Sequence, residues 1–509
     1  MIDLVSLGRR PRSNGTFVPF RMREVGGDVL LTNFLGDWIF VKKDELAAMW
    51  KGEVSEGSAL FDRLAARNFV RSKVDVEAQA ERYGRKKRFL DYGPNLHVMV
   101  VTLRCNESCV YCHASRADMD AVHTDMTKET AEKAVELALS STAPSITIEF
   151  QGGEPLVNFP VMQHIVEVAL QKNRAYGKGL EFTLVSNLSL MDDDKLRWLI
   201  DNKVQICTSV DGPEALHNKQ RILAGGNAWQ QATKWIKRIN EEYAKLGLDP
   251  VLYHVEALLT TTRALLPYPK EIVDAYVDLG CRAIFVRPVD PFGWASRTAK
   301  TVEYPRSDYL DFYRATTDYI LDLNKKGVQV LERFGAIFLT KILGDEEPNF
   351  LDVRSPGGAG IGQIAYSYDG KIFTSDEGRM VGQMGDPFFQ IGHVDTSKYR
   401  DLMTHETVRS LTLASTLDLQ PDCVSCTYNP YCGIVPEHNY RTQGSIFGRM
   451  RESQLCAVHK GIQDYLFDKL RENDPATVEI LKRWTTVRER THFQQASAAS
   501  LSRSCCCTP

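Results

Sequence analysis

The sequence predicts an α/β protein built around a partial (β/α)6 barrel of the TIM type. Three observations predict it. Between about residues 95 and 330, six strand-like runs alternate with segments of helical spacing. Several of those runs are nearly continuously apolar and rich in Val, Ile, Thr and Phe, the pattern of parallel strands covered on both faces. The residues able to do chemistry fall just after the runs, where barrels of this kind place their sites.

The elements follow in chain order. Residues 20–25, 29–33 and 38–41 read as short strands broken by Gly26-Gly27-Asp28 and Gly36-Asp37, which fit hairpin turns. Residues 43–49 and 59–67 read as helices, Phe69-Val70 closes the unit, and 75–87 reads as a polar linker. The barrel strands are predicted at 97–103, 145–150, 181–185, 205–210, 253–259 and 283–287. Between them Ala131, Ala134, Val135, Ala138 and Leu139 share one helical face, as do Ile165, Val168 and Ala169, and Trp235, Ile236 and Ile239. The chain beyond Thr491 is Ser- and Ala-rich and ends Ser-Cys-Cys-Cys-Thr-Pro. It reads as a flexible tail, with a loose metal site or a self-modified segment as the other readings of Cys505, Cys506 and Cys507. The domains implied are 1–90, 91–330, 331–470 and 471–509.

A length of 509 residues suits about three domains. Hydrophobic content of 43% and charged content of 25% are ordinary for a globular chain. A net charge of −3, from 62 basic and 65 acidic residues, argues for neither a nucleic-acid nor a membrane partner. No apolar run reaches a membrane span and no signal-peptide core is present, so a cytoplasmic setting is expected. There, twelve cysteines point to metal binding rather than disulfides. Cys207 and Cys281 lie singly in apolar segments and read as small buried hydrophobes.

Cys105, Cys109 and Cys112 have the spacing C-x3-C-x2-C directly after the first barrel strand. Three thiolates on one loop can hold three corners of a cubane iron–sulfur cluster and leave the fourth iron open; structural zinc sites usually show paired C-x2-C units. Tyr111 lies between the last two cysteines. Gln151-Gly152-Gly153-Glu154-Pro155 follows the second strand, and Ser186-Asn187 the third. Ser209-Val-Asp211-Gly212-Pro213, with His217 and Arg221, follows the fourth, and Arg287-Pro288 the sixth. Each piece alone reads as a turn or a strand end; their order after successive strands resembles the radical S-adenosylmethionine (radical SAM) superfamily. The resemblance implies a [4Fe–4S] cluster on the three cysteines and S-adenosyl-L-methionine on its open iron. It places Tyr111 and Arg287 near the adenine, Gly152, Gly153 and Glu154 at the methionyl amino group, and Ser186 and Asn187 against the cofactor. Ser209 and Asp211 fall on the ribose side and Arg221 at the carboxylate. Glu149 points into the same region without an assigned role.

Cys423-x2-Cys426-x5-Cys432, then Cys456, supplies four more thiolates. A zinc knuckle is one reading. The spacing also resembles the SPASM extension of peptide- and protein-modifying radical SAM enzymes, whose seven cysteines hold two auxiliary clusters. This chain has Ser375 where Gly370-x4 would end in cysteine, no cysteine 9 to 15 residues before Gly370, and Pro436 where Cys432-x3 would end in cysteine. The missing set belongs to the inner cluster and the complete set to the outer one. The resemblance therefore implies one auxiliary [4Fe–4S] cluster, on Cys423, Cys426, Cys432 and Cys456. Asp376 follows Ser375, and in related sulfatase maturases an aspartate beside the corresponding cysteine acts as a base; Asp376 is the candidate base here and Glu377 the second. A solvated turn carboxylate is the plain alternative.

The N-terminal strands and helices resemble the PqqD-like peptide-recognition domain, a winged-helix variant that adds a leader peptide as a strand. An inert accessory fold and a DNA-binding wing are the other readings, and the segment lacks a basic stripe. Pro19-Phe20-Arg21, Val29-Leu30-Leu31-Thr32-Asn33, Ala359-Gly360-Ile361-Gly362-Gln363 and Ser375 to Met380 resemble the B-type maturase of His-Xaa-Ser peptide systems. Together these resemblances imply a maturase that abstracts hydrogen from a precursor-peptide side chain through a 5′-deoxyadenosyl radical and leaves a crosslink or an oxidised residue. They imply a leader-bearing precursor peptide and an electron donor such as flavodoxin or ferredoxin as partners, with a partner maturase as a further candidate. The rival readings are an enzyme acting on a folded protein, as sulfatase maturases do, and a non-catalytic iron–sulfur or zinc protein.

Overall fold

The computed structural model describes residues 15–348, 350–486 and 493–494. The expectations for Cys505, Cys506 and Cys507 lie outside the described residues.

The N-terminal sheet is a meander of β1 (Phe20–Val25), β2 (Asp28–Asn33) and β3 (Trp38–Val41), all antiparallel, in the order β1-β2-β3. Leu31, Val29, Val41 and Ile39 on one face of it pack against Leu46, Met49, Phe61 and Leu64 of the two helices that follow, Lys43–Lys51 and Ala59–Ala65. This small core is separate from the barrel core. The segment 75–87, expected as a polar linker, is an α-helix, Val76–Lys87. It carries no apolar stripe, which is why hydrophobic spacing misses it. Asp75 caps its N-terminus, and Arg82 ties it to Asp37 at 2.7 Å and to Asp345 at 2.6 Å.

The barrel begins with β4 (Leu96–Thr102). A short strand, β5 (Glu107–Cys109), follows within the cysteine loop. Then come β6 (Ser145–Gly152), β7 (Gly179–Val185), β8 (Val204–Ser209), the short β9 (Arg221–Leu223), β10 (Glu256–Thr261) and β11 (Ala283–Pro288). β4, β6, β7, β8, β10 and β11 are the six expected parallel strands, each matched within one to three residues. The sheet runs past them on both sides. β12 (Leu331–Glu332) adds to β11, while β13 (Gln363–Tyr366) pairs in parallel with β4 and continues through β14 (Lys371–Phe373) to β15 (Gln390–His393). Ten strands thus form one sheet, and the C-terminal region is joined to the barrel by backbone hydrogen bonds. Val98 to Val101, Ile146, Ile148, Phe150, Leu184 and Ile206 are all fully buried, the burial that two covered faces impose.

The C-terminal region is helical, with helices that include Pro436–Gln443, Gln454–Glu472 and Pro475–Arg483. The N-terminal sheet docks on it. Arg23 makes a two-pronged contact with Asp464 at 2.6 Å, Thr32 donates to the carbonyl of Thr427, and Tyr431 donates to that of Gly36. Among the described residues no helix is long and apolar enough to cross a membrane.

Candidate active site at the C-terminal ends of the strands

The cysteine loop is placed by β5, which pairs antiparallel with β9 so that Cys109 lies opposite Arg221. This pairing joins two predicted motifs that are 112 residues apart. Arg221 donates through Nε to Asp211 at 3.0 Å, lies 3.7 Å from Glu107, and reaches Cys109 Sγ at 3.8 Å. Tyr111 donates to the same Asp211 oxygen at 2.5 Å, with the Arg221 guanidinium over its ring. Burial by itself would lower Arg221, but Tyr111, Asp211, Cys109 and Glu107 hold it well above its ordinary value. A second cluster holds the other side of the loop. Asn187 Nδ2 lies 3.9 Å from Cys105 Sγ and donates to Asn106 at 3.2 Å. Glu154 accepts from the backbone of Asn187 at 2.7 Å and of Leu156 at 3.0 Å, and from Ser186 Oγ at 2.8 Å. Burial pushes Glu154 up to about 7 against those three donors.

The resemblance implies that Gly152 and Gly153 lie at the methionyl amino group; in the structure their nearest neighbours are backbone carbonyls. A Cβ at Gly152 would meet the Thr102 carbonyl at 2.0 Å, and one at Gly153 the Leu103 and Arg104 carbonyls at 2.4 Å. Gly153 and Glu154 donate to Thr102 and Arg104 at 2.9 and 2.8 Å. The glycines therefore seat the loop after β6 against the residues that lead into Cys105.

Ser209 ends β8, opposite Leu258 of β10. Arg287, at the end of β11, lies over the Phe285 ring and lines a small cavity with Asp352 and Glu377. Asp376 and Glu377 open the helix Asp376–Gln383, capped by Ser375. They face different surroundings: Asp376 is paired with the buried Arg379 at 2.7 Å, whereas Glu377 lines the cavity. Glu149 accepts from Gln151 and Thr183 and lines a larger cavity of about 470 Å³, reached from the N-terminal ends of the strands. Glu107, Asn106, Asp352 and His438 were not singled out by the sequence. Glu107 and Asn106 carried a signal, lying inside the cysteine motif; the other two carried none.

Cys423, Cys432 and Cys456 pack around Leu417, Ile434 and Met450, and Cys426 is close enough to act electrostatically on Cys423, Cys432 and Cys456. Burial first, and then Cys456 and Cys426, push Cys423 up to about 12. Where cysteines of a second auxiliary set would stand, Ser375 donates to Glu437 at 2.5 Å. The nine described cysteines are all free thiols.

Residues 99–256 match the family model described as the radical SAM superfamily. These residues form a radical SAM domain. Such domains bind S-adenosylmethionine and a [4Fe–4S] cluster, and the donor set fits. Cys105, Cys109 and Cys112 are thiols on one loop with amide and guanidinium N–H groups aimed at two of the sulfurs, the surroundings that ligating sulfurs take. Over 208 residues the chain is 28% identical to the serine-type anaerobic sulfatase-maturating enzyme of Bacteroides thetaiotaomicron, covering 40% of this chain and 48% of that one. The chain spans about half the length of that relative. Around the radical SAM domain the fold is similar to that of anSMEcpe with bound AdoMet, at a TM-score of 0.60 and 18% identity over 77% of this chain and 99% of that one. It is also similar to Streptococcus suis SuiB bound to the precursor peptide SuiA, at a TM-score of 0.51 and 15% identity over 86% and 99%.

Proposed function

We propose that this chain is a radical SAM maturase that takes a hydrogen atom from a side chain of a ribosomally made precursor peptide, leaving a crosslink or an oxidised residue. The observation that carries the reading is the β5–β9 pairing, which brings the cysteine loop onto Arg221 and Asp211 while Asn187 and Glu154 close its other side. When bound, S-adenosylmethionine on a reduced cluster supplies a 5′-deoxyadenosyl radical. Cys105, Cys109 and Cys112 hold that cluster, and Cys423, Cys426, Cys432 and Cys456 hold one auxiliary [4Fe–4S] cluster. Glu154, Ser186, Asn187, Ser209, Asp211, Arg221 and Tyr111 orient the cofactor; Gly152 and Gly153 seat the loop that carries Glu154, and Arg287 faces the small cavity with Asp352 and Glu377. Among the two candidate bases, Glu377 lines a cavity and Asp376 is held by Arg379, which favours Glu377 as the group that takes a substrate proton. β1 and β3 each pair on one side only among the described residues, which supports a leader peptide added as a strand. The enzyme works in the cytoplasm on electrons from a flavodoxin or ferredoxin, in the role of a B-type maturase of a His-Xaa-Ser system.

A second reading, modification of a folded protein, is favoured by the stretch of identity with a sulfatase-maturating enzyme. Dependence on a leader peptide separates the two. The deciding experiment is 5′-deoxyadenosine formation by anaerobically reconstituted protein with S-adenosylmethionine and a strong reductant. Product is expected from the native chain and none from Cys112→Ala. Equal product from both would overturn the cluster assignment.

A further inference from the structure

The cavity that holds Glu377 has a volume of about 40 Å³ and is lined by Arg287, Asp290, Asp352, Glu377 and His438, with aromatic walls that include Phe292. It adjoins a cavity of about 250 Å³, with which it shares Pro288, Asp290, His438 and Leu455. Three carboxylates and one guanidinium face the small cavity. Among the described residues no other side chain forms a hydrogen bond or ion pair with Asp352, Glu377 or Arg287. His438 is 6% exposed, and its Nδ1 is buried without a hydrogen-bond partner. A buried polar atom left unpaired is unfavourable, so this group of side chains calls for an occupant.

The charge balance and size say which. Ionising all three carboxyls against one guanidinium would leave excess negative charge, and burial beside these neighbours raises both Asp352 and Glu377. A cation relieves that; an anion aggravates it. On the same measure a water needs roughly 10–15 Å³, so the cavity suits a compact ammonium better than a planar guanidinium. The 250 Å³ neighbour has room for an aliphatic stem. The site also lies beside the cysteine loop, since Trp294 donates to the Cys112 carbonyl at 2.8 Å and Asp290 to His113 Nε2 at 3.3 Å.

We propose that Asp352, Glu377 and His438 form a subsite for the ammonium of a lysine side chain of the polypeptide substrate, with Arg287 as the counter-charge that keeps the empty site intact. This rests on the reading of the substrate as a polypeptide. The ammonium donates to both carboxylates and to His438 Nδ1, and the stem lies in the larger cavity. If Glu377 also takes the substrate proton, the lysine positions the neighbouring peptide residue for it.

The test uses the full reconstituted chain and three probes: the N-acetyl methylamides of lysine, norleucine and arginine. Affinities are read by saturation-transfer NMR titration. Lysine is expected to bind at least about tenfold more tightly than norleucine, the value of one charged hydrogen bond, and more tightly than arginine. The preference is expected to vanish in Asp352→Asn/Glu377→Gln. If that double variant fails to fold, the near-isosteric Glu377→Gln alone should weaken lysine at least about threefold and leave norleucine unchanged. Equal binding of lysine and norleucine, tighter binding of arginine, or a lysine preference that survives the substitutions overturns the subsite. The readout is separate from cofactor cleavage: a lysine preference without 5′-deoxyadenosine formation sinks the proposed function and keeps the site, and the converse sinks the site alone.

Discussion

Gly153→Ala tests the way the barrel holds its cysteine loop. An added Cβ would sit 2.4 Å from both the Leu103 and the Arg104 carbonyl oxygens, where ordinary contact begins at 3.4 Å. Both obstacles are backbone, so the loop after β6 and the residues entering the cysteine motif must separate by about 1 Å. That movement strains two hydrogen bonds, from Gly153 to Thr102 and from Glu154 to Arg104. Overpacking and the two weakened bonds together cost about 2–4 kcal/mol. For a barrel-sized domain that is a fall in Tm of roughly 5–15 °C. A 1 Å misplacement of a reacting group lowers a rate by about 100-fold, so 5′-deoxyadenosine formation should fall by that order. Thermal denaturation and a timed product assay on the same preparation measure both. The matched control is Gly84→Ala, at a helical position where a Cβ meets nothing within 4 Å; it should stabilise by up to about 1 kcal/mol. A Gly153→Ala variant with the native Tm and a rate within about twofold of native would refute the argument.

Glu154→Gln should change how stability depends on pH. Its folded pKa of about 7 lies above the ordinary 4.5, so between those values the unfolded chain loses a proton that the folded chain keeps, and stability falls as pH rises. The difference corresponds to about 3 kcal/mol, and the variant's Tm relative to native should improve from pH 4 to pH 8; a pH-independent difference would count against burial as the cause. Arg221→Met leaves the buried Asp211 and Glu107 without their cation and should cost about 3–5 kcal/mol, read as a large loss of Tm in the unreconstituted protein. Cys456→Ala should remove about four irons per chain, with 5′-deoxyadenosine formation retained; iron and sulfide analysis that shows no loss would place the auxiliary cluster elsewhere.

The sequence by itself determined the barrel strands and which residues follow their C-terminal ends. A parallel strand covered on both faces is apolar along most of its length, so β4 announces itself as the run Val98 to Val101, whereas β6 and β8 carry Glu149 and Gln205 among their apolar residues. The cysteine spacing is legible because one short loop supplies all three thiols, and the strand-end motifs are legible because barrel topology gathers strand ends. Where this local signal was absent the sequence was silent. Helix Val76–Lys87 depends on a cap and on ion pairs to Asp37 and Asp345 rather than on an apolar stripe.

Tertiary structure alone decided the rest. The ten-stranded sheet exists because β13 finds the free edge of β4, more than 260 residues away in sequence. The different surroundings of Asp376 and Glu377 follow from Arg379, which a helical turn places beside one carboxylate and not the other. Asp352, His438 and Arg287 lie on three separate segments and share a cavity only once β11 and the C-terminal region are packed together. Patterns along the chain report which face of an element meets apolar surroundings. The charge that meets a given carboxylate is set by long-range packing, because Coulomb interactions act between neighbours in space whatever their separation along the chain.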